Sequence, residues 1–338
     1  EAQKIIDEKE GVLVRELLIL NTIAEKIEKQ NVAEGQITFT QDEVKFVLDE
    51  NKKPVSVYRK QAQDTNKLVE EFMLLANKKV AEFVAKKVEM DSVEGLFVYR
   101  IHDQPDPERL TTLATYLKRL GYKLPVVNGR ISSQDINKLL AEVKGKPEES
   151  MVQTSVIRTM AKAIYSANNI GHYGLSLRFY THFTSPIRRY PDVMVHRILA
   201  HYLEDKKISY EELNEYRKLS AHSSEMEGLA KEAERASIKF KQAEYMSTRI
   251  GQEFEGAISG VAEFGIFVEE QETKCEGIIR LSDIGNDYFI FENENYRIIG
   301  KNTRKSYTLG DKIRVRVKGV DLERKSIDYE LIKDSSKK

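Results

Sequence analysis

The segment Tyr180 to Asp192 reads Tyr-Thr-His-Phe-Thr-Ser-Pro-Ile-Arg-Arg-Tyr-Pro-Asp and runs on to His196 and Arg197. Ser185 and Pro186 set an irregular turn, and Pro191 stands where a proline opens a helix. Arg188 and Arg189 would then sit beside a helix amino terminus, where backbone N–H groups and guanidinium groups both favour an anion. The arrangement reads as a phosphate site; the alternative is two arginines on a solvated helix start. A serine hydrolase built on His182, Ser185 and Asp192 is not expected, because no Gly-x-Ser-x-Gly elbow surrounds Ser185 and Pro186 fixes a different turn. Zinc is not expected either: Cys275 is the only cysteine, and no two of the six histidines are four residues apart.

Two further groups of residues are candidates for binding. In Ile313 to Lys318, Ile313, Val315 and Val317 fall on one side of a strand and Arg314, Arg316 and Lys318 on the other. That predicts a cationic stripe able to meet a polyanion, with a solvated edge strand as the alternative. Phe264 and Phe267 flank Gly265 in a short aromatic run. An exposed aromatic there can stack on an unpaired base, and Phe264 is the better candidate because alternation can place Phe267 in the core.

The elements that must hold these residues follow from periodicity. Apolar spacing predicts one or two helices between Ile5 and Lys29, then a hairpin around a turn at 49–53, then a helix capped by Asp64 or Thr65. Glu70 and Glu71 lie at the borders of that helix's apolar face, as residues kept for solubility also would. A short strand at 96–100 precedes helices at 108–120, 133–143 and 149–166. A strand is expected at 173–180, a helix from Pro191 to about Leu203, and a long helix from Tyr210 to about Arg249, broken near Gly228. Beyond Gly251 five short strands with glycine turns fit an OB-type barrel. The fold class is therefore α+β: a mixed domain at 1–249, an all-β OB-fold barrel at 250–333 and a tail at 334–338.

Composition bounds the rest. Lys plus Arg and Asp plus Glu each number 54, so any nucleic-acid surface must be local. A lone cysteine suits a reducing compartment, no apolar run approaches the ~20 residues of a membrane span, and a cytoplasmic monomer is expected. The chain starts without methionine inside a charged helical pattern and ends in Ser-Ser-Lys-Lys. It is expected to be a piece of something longer.

The Tyr180 to Asp192 stretch resembles, nearly residue for residue, the most specific motif of the ribonuclease R and ribonuclease II (RNB) exoribonucleases. The resemblance extends in family order through Gly-Gln-Ile-Thr-Phe39, Asn66-Lys-Leu-Val-Glu-Glu-Phe-Met-Leu-Leu-Ala-Asn77 and Tyr99-Arg-Ile-His102. Val261-Ala-Glu-Phe-Gly-Ile-Phe-Val268 is similar to the OB subtype first described in a small-subunit ribosomal protein. The resemblance implies the later half of an RNB catalytic domain followed by that barrel. It implies RNA as partner and 3′-to-5′ hydrolysis to nucleoside 5′-monophosphates. Arg188 would contact the scissile phosphate with Arg189 beside it. Phe39 would stack on a base, with an ordinary hairpin core residue as the alternative, and a glutamate of the Glu70–Glu71 pair, Glu70 on its spacing to Phe39, would hold a ribose 2′-hydroxyl.

One departure stands out. Family catalysis resembles two-metal hydrolysis with magnesium held by clustered aspartates, and this sequence contains no such cluster. The metal ligands are expected upstream of Glu1, and the chain alone is expected to be inactive. The rival readings are a noncatalytic RNA-binding protein on the same fold, and a translation or transcription accessory factor for which the barrel alone is the functional unit.

Overall fold

A computed structural model describes residues 1–39, 43–60, 62–91, 97–146, 148–206, 209–285, 287–292 and 297–332; the expected tail at 334–338 lies outside them. Two helices open the chain, α1 (Ala2–Glu8) and α2 (Val14–Ala33), divided by Gly11 at φ +127°. The hairpin pairs β1 (Glu43–Leu48) with β2 (Pro54–Lys60), and its turn closes on the Asp49 carboxylate, which accepts from the Asn51 and Lys53 N–H groups. Helix α3 (Asp64–Asp91) packs against α2.

A second layer forms around three short helices. α4 (Pro107–Arg119) starts where the Asp106 side chain accepts from the N–H groups of Glu108 and Arg109, with Pro107 at the first helical position. α5 (Ser133–Val143) is capped by Ser132, and α6 (Glu149–Thr159) follows. Their apolar faces meet in a core that includes Leu110, Leu117, Ile136, Val143, Val152 and Val156.

Two expectations fail between 160 and 180. The helix expected to reach Ser166 ends at Thr159, and Ile164–Ser166 instead forms β4, antiparallel to β3 (Tyr99–Ile101), with Tyr165 buried between them. Sheet pairing and burial override a helical pattern that was only local. The strand expected at 173–180 is a single 3₁₀ turn, Tyr173–Leu175, ending on left-handed Ser176. Its backbone bonds go to scattered partners: the Gly174 carbonyl accepts from Ile37 N–H, and the Tyr180 carbonyl from Arg100 N–H. No continuous ladder forms.

Helix α7 (Tyr190–Leu203) leads to α8 (Tyr210–Ser247), which begins in a capping box between Ser209 and Glu212. α8 runs unbroken through Gly228, where a break was expected. The reason lies next to it: Glu227 accepts two hydrogen bonds from Arg100, at 2.6 and 2.9 Å, and pairs with Lys231 at 2.9 Å. That anchorage offsets the roughly 1 kcal/mol that a mid-helix glycine costs.

The barrel is built from β5 (Glu253–Ala262), β6 (Gly265–Glu270), β7 (Glu276–Arg280), β11 (Lys312–Asp321) and β12 (Ser326–Leu331). Among the described residues they close in the order β11-β12-β7-β6-β5, with β12 parallel to β7 and the other pairs antiparallel. Between β7 and β11 lie the short α9 (Leu281–Ile284) and a three-stranded sheet, β8 (Phe289–Glu292), β9 (Arg297–Gly300) and β10 (Ser306–Thr308), that the sequence reading did not anticipate. Ile266, Val268, Ile279, Val315 and Tyr329 fill the barrel, Cys275 is fully buried beside them, and Ala243 and Met246 of α8 enter the same core. Gly277 is obligatory there, since a Cβ would fall 2.4 Å from the Tyr329 ring. Among the described residues no helix is long and apolar enough to cross a membrane.

Burial raises the Glu227 pKa, but its hydrogen bonds with Arg100 and Lys231 outweigh that and hold it below its ordinary 4.5. A carboxyl lowered on folding stabilises the protein above its unfolded pKa, and the contribution is lost as pH falls through the folded value. Glu227→Ala is expected to cost about 3–5 kcal/mol in urea denaturation at neutral pH, because Arg100 stays buried without its carboxylate. The variant should also lose less stability than wild type on acidification below pH 4.5. A cost under about 1 kcal/mol would show that the pair does not hold α8 in place.

Candidate nucleic-acid interface

Asp192, in the first turn of α7, has no solvent exposure. Its Oδ1 accepts from the Ser185 N–H at 2.8 Å and from Arg189 Nη2 at 2.7 Å, while the Ser185 carbonyl accepts from the N–H groups of Arg188 and Arg189. The turn is thus closed on itself, and its apex is pushed outward: Ile187 is fully exposed. Arg189 is committed to the buried carboxylate. Arg188 is exposed, and its side chain has no hydrogen-bond or ion-pair partner among the described residues.

Arg188 lines a cleft of about 490 Å³ together with Thr65, Asn66, Glu70, Asn77 and Tyr180. Helix geometry separates the two glutamates, since neighbours on a helix point about 100° apart. Glu70 is exposed in the cleft with Arg188. Glu71 turns to α2, is 5% exposed, accepts from Asn31 Nδ2 at 2.9 Å, and has its pKa raised by burial. Asn77 was not singled out from sequence. Its Nδ2 donates to the Tyr180 hydroxyl at 3.2 Å and its Oδ1 accepts from the Phe183 N–H at 2.9 Å, tying α3 to the arginine segment. An amide residue set among the apolar positions of a helical face, between Ala76 and Val80, was the available signal.

His182 lies behind the turn, 2.8 Å from the Tyr165 hydroxyl through Nδ1. Burial first, then the positive charges of Arg189 and Arg100, push its pKa down to about 2. It is a neutral packing and hydrogen-bonding group. Phe39 is half-buried against the α4–α6 core and does not line the Arg188 cleft.

On the barrel, Ile266 and Val268 point inward with no exposure, so Phe267 points outward. It lies over Gly260, and Phe264, 62% exposed, meets it edge to face with ring centroids 6.0 Å apart. The two form one surface aromatic step. The free cationic stripe expected from β11 is not there. Arg314 pairs with Glu253 at 3.0 Å, Arg316 with Glu253 at 2.7 Å and Glu330 at 2.8 Å, and Lys318 with Asp283 at 2.9 Å. Alternation placed these side chains on the outer face correctly, but the strands on either side, β5 and β12, set carboxylates against the two arginines.

Among the described residues no three His, Cys, Asp or Glu side chains converge as a metal site requires. The described residues do not fit a magnesium pair.

The profile of the RNB domain matches residues 1–205 and that of the S1 RNA binding domain matches residues 247–331. Ribonuclease R of Aquifex aeolicus is 35% identical over 333 residues, which is 98% of this chain and 46% of the relative. Ribonuclease R of Escherichia coli is 34% identical over 336 residues, 96% of this chain and 40% of the relative. The chain therefore spans less than half the length of those two relatives. The solved structure of Mycoplasma genitalium RNase R in complex with ribose methylated single-stranded RNA superposes with a TM-score of 0.90 at 28% identity, covering 98% of this chain and 52% of that one. The chain belongs to the RNB family, and proteins named ribonuclease R match nearly all of its 338 residues.

Proposed function

We propose that this chain supplies the phosphate-contacting arginine, part of the RNA path and the RNA-binding barrel of a processive enzyme that hydrolyses RNA from its 3′ end to nucleoside 5′-monophosphates. The observation that carries this reading is Arg188, an exposed guanidinium without an internal partner, projected by a turn closed on buried Asp192 and facing a cleft that also holds Glu70. A guanidinium so placed matches two oxygens of a phosphate, and a carboxylate across the cleft accepts from a ribose 2′-hydroxyl, which distinguishes RNA from DNA. Arg189, held by Asp192, acts by fixing the turn. Phe264 and Phe267 offer a stacking surface to unpaired bases. The Mycoplasma genitalium neighbour, bound to single-stranded RNA, supports RNA as the ligand.

Magnesium belongs to the same proposal. Two-metal hydrolysis needs carboxylates that would come from outside this chain, so the chain alone binds RNA and does not cut it. Purified and incubated with magnesium or manganese, it should leave a 5′-labelled oligonucleotide intact; stepwise 3′ shortening would place the metal site within these residues.

In a form of the protein extended to the length of its relatives, Arg188→Ala should lower the single-turnover rate by about 10²–10³ and leave RNA affinity within about twofold. Arg188→Lys should recover only part of the loss, because the two-pronged contact is gone. An alanine variant that cleaves at the wild-type rate would remove Arg188 from the reaction.

For the barrel, Phe264→Ala should weaken single-strand binding by about 1–3 kcal/mol without changing its salt dependence. Arg314→Ala should also leave the salt dependence unchanged, since Glu253 and Glu330 together already balance Arg314 and Arg316. Fluorescence anisotropy with oligoadenylate across a salt series reads both. A folded Phe264→Ala chain of unaltered affinity would move the RNA contact to another surface.

A further inference from the structure

A second cleft, of about 1480 Å³, shares no lining residue with the one at Arg188. The two are neighbours at the ring pair His172 and Tyr180, of which the first lines this cleft and the second the other, with 5.3 Å between centroids. Its lining carries Arg109, Arg130, Arg158, Lys162, Arg178 and Arg235, drawn from α4, α6, α8 and the loops between elements. Among the described residues Asp103 and Asp106, which accept only from backbone N–H groups, keep their negative charges, and Arg109 and Arg158 donate only to backbone carbonyls, so cations still outnumber anions in the lining.

Arg109, Arg130, Arg158, Lys162 and Arg235 stand in no ion pair among the described residues, in contrast to the barrel cations. On a chain whose formal net charge is zero, this leaves a local excess of like charge inside one concavity, where low-dielectric walls focus the field. The chemistry that relieves it is a polyanion. The same walls expose partly buried flat surfaces, Tyr173 and Phe179, with the Arg178 guanidinium 4.9 Å from the Phe179 ring. Cations interleaved with aromatic faces fit an unpaired strand, whose phosphates and bases are both available, better than a duplex, whose bases are stacked on one another.

We propose that this cleft is a second RNA groove, holding single-stranded RNA on the opposite side of the His172–Tyr180 ring pair from Arg188. The proposal rests on the RNA-binding reading above and extends it to a site built from different residues.

The test uses the 338-residue chain and fluorescein-labelled oligoadenylate. Arg130, Lys162 and Arg235 are exposed and unpaired, so Arg130→Glu/Lys162→Glu/Arg235→Glu should fold, which circular dichroism checks. Affinity should fall at least about tenfold, and the slope of log K against log salt should shrink by about 2, at roughly 0.7 per lost phosphate contact. Arg188→Ala, run in parallel, should change the slope by no more than one contact. Because Cys275 is buried, a single Lys162→Cys exchange gives one reactive thiol for a benzophenone reagent, and illumination should cross-link it to the oligonucleotide. A folded triple variant with unchanged affinity and slope, or a labelled Lys162→Cys chain that does not cross-link, overturns the groove and leaves the reading at Arg188 standing. A blunt RNA duplex that competes as well as the single strand overturns the preference for an unpaired strand. Wild-type chain that binds no RNA overturns both readings together.

Discussion

The contact between Arg100 and Glu227 ties together a small sheet, a long helix and the segment that carries the arginine turn. Arg100 lies on β3, is 6% exposed, and reaches across to α8 with two hydrogen bonds while its guanidinium also rests over the Tyr165 ring on β4 at 4.5 Å. Tyr165 in turn bonds His182, in the segment that leads into the arginine turn. A buried charge is tolerated only with its partner in place, so this cation fixes the relation of a small sheet, a long helix and the site. Through α8 it also reaches the barrel, because Ala243 and Met246 belong to the barrel core.

What was legible in the sequence was legible for local reasons. The helices at 107–119 and 133–143 have caps and apolar faces written within a dozen residues, and the five barrel strands are bounded by their own turns. The arginine turn was readable because its serine, proline and arginines, and the Asp192 that closes it, are contiguous. The stretch from 160 to 180 was not, because partners at Ile37, Arg100 and His102, far off in sequence, set its shape.

Charge was the least legible property. Strand alternation says which way Arg314, Arg316 and Lys318 point, and nothing about the acids that Glu253, Glu330 and Asp283 bring beside them. The unpaired cations lie instead on helices and loops scattered from Arg109 to Arg235, with no linear pattern to announce them. A balanced total can therefore hide a strongly asymmetric surface. Glu70 and Glu71 carry the same lesson at short range, since adjacent, identical side chains receive opposite environments once α2 has docked.

The unbroken run of α8 through Gly228 has a consequence for how the two parts are phased. From Glu227, clamped by Arg100, to Met246, inside the barrel, the chain is one continuous helix. Each residue added or removed in that interval would rotate everything beyond it by about 100° and slide it about 1.5 Å. The barrel's aromatic step would then face a different direction from the arginine cleft. Only length changes near whole numbers of turns, such as 7 or 11 residues, keep the bearing. The spacer is an angular gauge, and its residue count carries geometric information that its amino-acid identities do not.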